Sequence, residues 1–263
     1  TKIIYITIVA FIKYLRMIIT GKYPKLRMRR SRKEDWSRRL IRENTLSGSD
    51  FVLPIFLTDG KNKKIGIKSM NGVYRYSIDN ISKIIDKALK NKVPMIALFP
   101  HTNTKLKNVN GSEAFNENNL VSKAIVAIKN KYKNSIGIMC DVALDPYTSH
   151  GHDGLIKKKE ILNDETIKIL IKQSLMQAQM GCDVIAPSDM MDGRVGEIRN
   201  ELDKNGFEKI QILSYAVKYS SSFYGPFRNA VGSNSSLKGD KKTYQMDYSN
   251  FCLLYTSDAA DES

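Results

Sequence analysis

Five short apolar runs alternate along the chain with four helix-period patterns, and this alternation restricts the fold more than any other feature. The runs are FVLPIF (51–56), PMIALFP (94–100), SIGIMCDVAL (135–144), CDVIAPS (182–188) and KIQILSYAV (209–217). The helical patterns cover 78–91, 118–132, 164–180 and 194–204; in the third, Ile167, Leu170, Ile171, Leu175 and Ala178 recur at helical spacing. Parallel strands need long crossovers that pack as helices, so a βαβα order predicts a parallel sheet covered by helices. No glycine-rich dinucleotide loop or Walker loop follows the first run, which disfavours a nucleotide-binding open sheet and favours a (β/α)8 TIM barrel. A closed barrel needs eight strands and only five candidates precede Asn250, so the expectation is an incomplete barrel over 51–250 with about five of its eight strands.

Parallel α/β folds place their chemistry at the carboxyl ends of the strands. Asp141, Asp145 and the HGHD run (150–153) follow the third apolar run, Ser188 and Asp189 the fourth, and Lys218 the fifth. Strand alternation would put Ser214, Ala216 and Lys218 on one face, with Leu213, Tyr215 and Val217 on the other. Small residues ahead of a lysine leave space for its amine to meet a carbonyl. Such an amine must shed its proton near neutral pH, helped by desolvation or by nearby cations such as Arg228, Lys241 and Lys242. A lone strand-end lysine is otherwise a solvent-reaching residue.

Several separate motifs occur in one order: RMRRSRKEDWSRRLIRENTLS (27–47), VYRYSI (73–78), GSEAFN (111–116), DVALDPYTSHGHDG (141–154), APSDMMDGRVGEIR (186–199), SYAVKYSSSFYGPFR (214–228) and GDKKTYQM (239–246). Together they closely resemble the porphobilinogen synthase (5-aminolevulinate dehydratase) family over about 23–250. The resemblance implies a TIM barrel with an N-terminal arm and a lyase of tetrapyrrole biosynthesis. Its reaction joins two 5-aminolevulinate molecules into porphobilinogen, with loss of two waters, through lysine Schiff bases. It implies that Lys218 is one of two active-site lysines, the second belonging to a strand beyond Asn250, so that this truncated chain is expected to be inactive. Arg228, Lys241 and Gln245 would bind substrate, with Lys241 lacking the bidentate fork of the arginine usual at its position. Phe223 and Tyr224 would wall the pocket, Asp141, Ser188 and Asp189 would orient the amine and shuttle protons, and 229–242 would form a mobile lid. A Schiff-base aldolase on the same barrel fits the SHGHDG and GDKKTYQM stretches less well.

The resemblance also frames the metal question. Zinc-dependent members carry three cysteines where this chain has Ala143, Asp145 and Asp153. Two carboxylates without a thiol favour Mg²⁺ over zinc, or no metal in the site. For His150 and His152 hydrogen-bonding roles are expected, and no organic cofactor is implied.

The formal net charge of +15 and pI near 9.6 admit an alternative, a basic protein that binds nucleic acid or an anionic surface. No RNA-binding or helix-turn-helix signature accompanies the charge, and solvated lysines spread over helix faces account for it, so neither nucleic acid nor membrane is expected as a partner. The arginine-rich segment 23–50 is expected, from the resemblance, to be an arm that contacts a neighbouring subunit in a homo-oligomer, an octamer in the family. Cys140, Cys182 and Cys252 are too few and scattered for a disulfide framework, which fits a reducing compartment, cytoplasmic or plastid, and makes Cys140 and Cys182 buried small hydrophobes. Residues 1–22 begin with Thr and contain an apolar run with Lys13 and Arg16, convincing neither as a membrane span nor as a signal; they read as upstream translation, with Met17 a candidate start. Residues 251–263 break the pattern abruptly and read as adapter sequence.

Overall fold

The computed structural model describes residues 21–233, 236–237, 239–250 and 253. The expectations for 1–20 and for nearly all of 251–263, with Met17 and Cys252, lie outside the described residues. The chain divides into two units, Thr1–Leu46 and Ser47–Ser263.

In the first unit the one α-helix described is α1 (Asp35–Leu40). Its arginines are largely turned to local partners: Arg39 pairs with Asp35 at 2.9 Å, Arg38 donates to the carbonyls of Arg32 and Lys33, and Arg27 donates to Pro24 O while lying over the Tyr23 ring. Tyr23, Met28, Trp36, Leu40 and Leu46 are exposed.

The second unit is built on β1 (Val52–Thr58), β2 (Lys64–Gly66), β3 (Tyr74–Tyr76), α2 (Ile81–Lys90), β4 (Met95–His101), α3 (Leu120–Tyr132), β5 (Gly137–Val142), β6 (Leu155–Lys157), β7 (Glu160–Leu162), α4 (Asn163–Gln179), β8 (Val184–Pro187), α5 (Arg194–Lys204), β9 (Gln211–Ile212) and α6 (Gly225–Val231). One sheet runs β2-β3-β1-β4-β5-β8-β9, parallel throughout except for the β2–β3 pair, and β6 and β7 form a separate hairpin. The five expected strands are therefore neighbours in chain order, as in a barrel, and among the described residues the two edges, β2 and β9, do not meet.

Why the strands read as near-continuous apolar runs is visible in their alternation. Ile55, Leu57, Ile96, Leu98, Ile138, Cys140, Val142 and Ile185 face the helices. Phe56, Ala97, Phe99, Met139, Val184 and Ala186 face the opposite side, where Ala230 and Val231 of α6 cover them. The helices meet the first face with helical stripes: Ile81, Ile85 and Ala88 on α2; Val121, Ala124, Ile125 and Ile128 on α3; Ile198 and Leu202 on α5. The Asn119 side chain caps α3 by accepting from Ser122 N at 2.8 Å. Cys140 and Cys182 are buried free thiols, and burial pushes the Cys140 thiol well up.

One strand departs from expectation. The fifth run was expected to extend to Val217, but β9 ends at Ile212. Leu213 N and Tyr215 N still donate to the carbonyls of Ile185 and Pro187 at 2.9 and 3.1 Å. Pro187 has no N–H to return to Leu213, so the parallel ladder stops at β8's last residue. The irregular stretch that follows breaks the strict alternation, and Tyr215 comes to line the same cavity as Lys218.

Candidate active site

Alternation on β5 and β8 determines the site floor. Asp141 follows Met139 on the face turned away from the helices, and Ser188 follows Val184 and Ala186 on the same face, with Asp141 in register with Ala186. Both lie at the carboxyl ends of their strands. They line a cavity of about 100 Å³ with Phe99, Asp145, Pro146, Tyr215, Lys218, Tyr224, Phe227, Arg228, Val231, Lys241 and Gln245.

Lys218 is 9% exposed and its Nζ donates to the Ser188 carbonyl oxygen. That nitrogen lies 3.9 Å from Asp153 Oδ1 and 5.7 Å from the centre of the Tyr224 ring. Burial pushes the Asp141 carboxyl up to about 7, against the Ser188 hydroxyl bonded to it and the charge of Lys218. A carboxyl so placed exchanges a proton near neutral pH. The Asp141 carbonyl is held from behind by the Gln173 and Gln177 amides of α4, at 3.3 and 3.0 Å.

Asp145 and Asp153, expected as oxygen ligands for Mg²⁺, face an ammonium instead. Lys241 Nζ lies 2.7 Å from Asp153 Oδ2 and 3.5 Å from Asp145 Oδ2, and is 4% exposed. Desolvation works to raise the Asp153 carboxyl, but Lys241 and Lys218 hold it below its ordinary value; Asp145, for which desolvation wins, is raised. The pair does not fit an additional divalent ion while Lys241 stands between the carboxylates. Among the described residues no group of three or more His, Cys, Asp or Glu side chains is placed to hold a metal. Lys242, by contrast, is exposed.

The segment expected as a lid, with the residues that follow it, packs on the histidine loop. Tyr244 OH lies 3.1 Å from His152 Nδ1 and accepts from Asp153 N at 3.4 Å, and His150 Nε2 lies 3.3 Å from Val109 O, so both histidines serve as hydrogen-bonding groups. Gly151, at φ +72°, lets this contact form, because a Cβ there would stand 2.7 Å from Leu237 N and 2.8 Å from Ser233 O. Lys241 and Gln245 are buried in consequence.

Two expected residues sit elsewhere. Asp189 is fully buried behind the cavity, its carboxyl pushed up to about 7 by burial despite Arg194, whose Nε lies 3.4 Å away. Phe223 is 92% exposed and does not line the cavity. It belongs to a 3₁₀ turn in which Ser221 Oγ accepts from Phe223 N, and the aromatic wall comes from Phe227, one helical turn on, packed edge-on to Phe56 and Phe99 at 5.2 and 4.7 Å. Phe227, Tyr215 and Arg194 were not among the expected site residues. The signal for Arg194 was present, since Arg194, Ile198 and Leu202 form one i, i+4, i+8 stripe. The Arg228 Nε is buried and has no hydrogen-bond partner among the described residues.

The sequence model of the delta-aminolevulinic acid dehydratase family matches residues 25–262. A delta-aminolevulinic acid dehydratase from Bradyrhizobium diazoefficiens is 56% identical over 225 residues, covering 86% of this chain and 64% of its own. One from Rhodobacter capsulatus is 44% identical, covering 89% of this chain and 70% of its own. A chloroplastic form from Glycine max is 44% identical, covering 90% and 57%. The crystal structure of the Toxoplasma gondii delta-aminolevulinic acid dehydratase in complex with the reaction product porphobilinogen superposes with a TM-score of 0.86 at 40% identity, over 90% of this chain and 67% of that one. The chain thus spans about two thirds of the length of these bacterial and structural relatives.

Proposed function

The chain belongs to the delta-aminolevulinic acid dehydratase family, and from that premise we propose that it carries a porphobilinogen synthase site that condenses 5-aminolevulinate through an imine on Lys218. The observation that carries this reading is a buried lysine amine opening onto the cavity that also holds the Arg228 guanidinium, whose Nε has no hydrogen-bond partner among the described residues. Arg228 meets the substrate carboxylate, with Gln245 beside it and Lys241 adding charge. Once it has given up its extra proton, the Lys218 amine attacks the ketone carbon. A C–N bond forms, the carbonyl oxygen takes up protons and leaves as water, and the nitrogen's hydrogens are given up as the imine forms. Asp141 holds a transferable proton near neutral pH and serves as the acid–base group. Ser188 positions both groups, its hydroxyl on Asp141 and its carbonyl on Lys218. Asp189, fully buried behind the cavity wall, acts by bonding Met191 N at 2.7 Å and pairing with Arg194.

With Lys241 in place its ammonium supplies the positive charge between Asp145 and Asp153; were Lys241 to swing away, a carboxylate pair without thiols would favour magnesium over zinc. The exposed apolar side chains of the first unit support its reading as an arm that packs on a second copy of the chain. The free buried thiols and the bacterial and chloroplastic relatives support a reducing compartment, cytoplasm or plastid, and among the described residues no helix is long and apolar enough to cross a membrane.

Borohydride reduction in the presence of 5-aminolevulinate tests the proposal without calling on the second lysine: the parent chain should gain a covalent adduct and Lys218→Met none. Equal labelling of the variant would rule out the imine.

A further inference from the structure

The motif VYRYSI plays no part in the chemistry above, yet its arginine reaches the rear of the site. Arg75, on β3, donates from Nε to Ala230 O at 2.6 Å and from Nη2 to Asn229 O at 2.5 Å. Lys107, in the turn after β4, donates from Nζ to Gly232 O at 3.1 Å, and Ser69 Oγ donates to Pro226 O at 3.3 Å. The carbonyls of Asn229, Ala230 and Gly232 are at or just past the last turn of α6, where helical acceptors lack partners and the helix dipole is negative. Two cations from distant parts of the chain satisfy them, and burial lowers both Arg75 and Lys107 from their ordinary values.

What α6 carries makes this grip consequential. The helix has seven residues, too few to persist without tertiary support, and it delivers Phe227 and Arg228 to the cavity. Gly232 ends it at φ +72°, against the His101 ring, where a Cβ would stand 2.8 Å from Cδ2 and Nε2. A turn of one residue about the helix axis, about 100°, would carry Arg228 out of the cavity.

We propose that Arg75 and Lys107 are positioning residues: by holding the C-terminal carbonyls of α6 they aim Arg228, and so set the preference of the site for ketones that bear a carboxylate. The inference rests on the reading of Lys218 as the imine-forming amine. It is tested on the full chain by borohydride reduction with levulinate or with its uncharged methyl ester, comparing the rates at which each is fixed to the protein. The parent should fix levulinate faster than the ester, and Arg228→Ala should lose that preference.

Arg75→Met is expected to lower the levulinate-to-ester ratio about tenfold, the scale of one charge-assisted hydrogen bond, with ester trapping unchanged. The Arg75→Met, Arg228→Ala double variant should lose no more than Arg228→Ala alone. Arg75→Lys, which keeps the charge and one donor, should retain part of the preference, and it serves if the methionine variant fails to fold. An unchanged ratio, an equal fall for both ketones, or additive losses in the double variant would overturn the proposal. A parent chain that fixes neither ketone would instead remove the imine reading on which it stands, an outcome distinct from the others.

Discussion

Removing the cation between Asp145 and Asp153 is the perturbation whose consequence the structure defines best. Lys241→Met keeps the length and apolar stem of the side chain but deletes the ammonium 2.7 Å from Asp153 and 3.5 Å from Asp145. At an effective permittivity of about 20 these contacts correspond to about 6 and 5 kcal/mol of Coulomb attraction, most of it offset by desolvation of the three ions. Taking away one partner of a buried pair costs about 3–5 kcal/mol, and Lys218 at 3.9 Å from Asp153 moves the expectation to the lower end. With a urea slope of about 2 kcal/mol/M, the unfolding midpoint at pH 7 should fall by about 1.5 M. The pH dependence gives a second check. Lys241 and Lys218 hold the folded Asp153 carboxyl below its ordinary value despite desolvation, so its contribution is present above the unfolded value and lost as pH falls through the folded one. The gap between parent and variant should therefore narrow below about pH 4, and Asp153→Asn added to the variant should recover much of the loss at pH 7. Matching midpoints for parent and Lys241→Met at pH 7 would show that the ammonium does not stabilise the carboxylate pair.

Asp141→Asn should raise thermal stability at pH 8 and leave it unchanged near pH 3. A carboxyl raised to about 7 contributes its stability below the ordinary value of 3.8 and loses it as pH rises through 7; thermal melts across that range show it. Phe227→Ala should cost about 2–3 kcal/mol in chemical denaturation, below the full core range because the ring is half-buried. Phe223→Ala, at a 92% exposed ring, should stay within about 0.5 kcal/mol. Treatment with a chelator should leave the reaction of Lys218 with ketones unchanged, since Lys241 supplies the charge at the carboxylate pair; a loss restored by Mg²⁺ would show that an ion takes its place.

The architecture was legible in the chain because strands buried on both faces and helices with one apolar stripe leave different periodicities. The helical pattern at 194–204 coincides with α5, and that at 118–132 begins two residues before α3. Strand β9 was overestimated because its length is decided by a proline on its neighbour, information that lies on another segment. The β2, β3, β6 and β7 strands, each three residues long, are too short to show a period. The chain gave no local sign of α6, whose short run is held by Arg75 and Lys107 from elsewhere in the fold. The meeting of Asp141, Ser188 and Lys218 in one cavity was legible because each is a polar side chain that follows an apolar run. The partners of Asp145 and Asp153 were not, because pairing with Lys241 depends on how the segment after α6 packs on the histidine loop. Phe227 rather than Phe223 faces the cavity because of helical phase, which a segment with no helical period in its sequence does not reveal.

Two buried lysines, Lys218 and Lys241, line one cavity, and the decisive measurement is which of them bonds 5-aminolevulinate. The chain would be reduced with borohydride in the presence of 5-aminolevulinate, digested, and mapped by tandem mass spectrometry. The adduct is expected on Lys218, with Lys241 unmodified because two carboxylates hold its ammonium. An adduct on Lys241, or none on either lysine, would contradict the imine on Lys218.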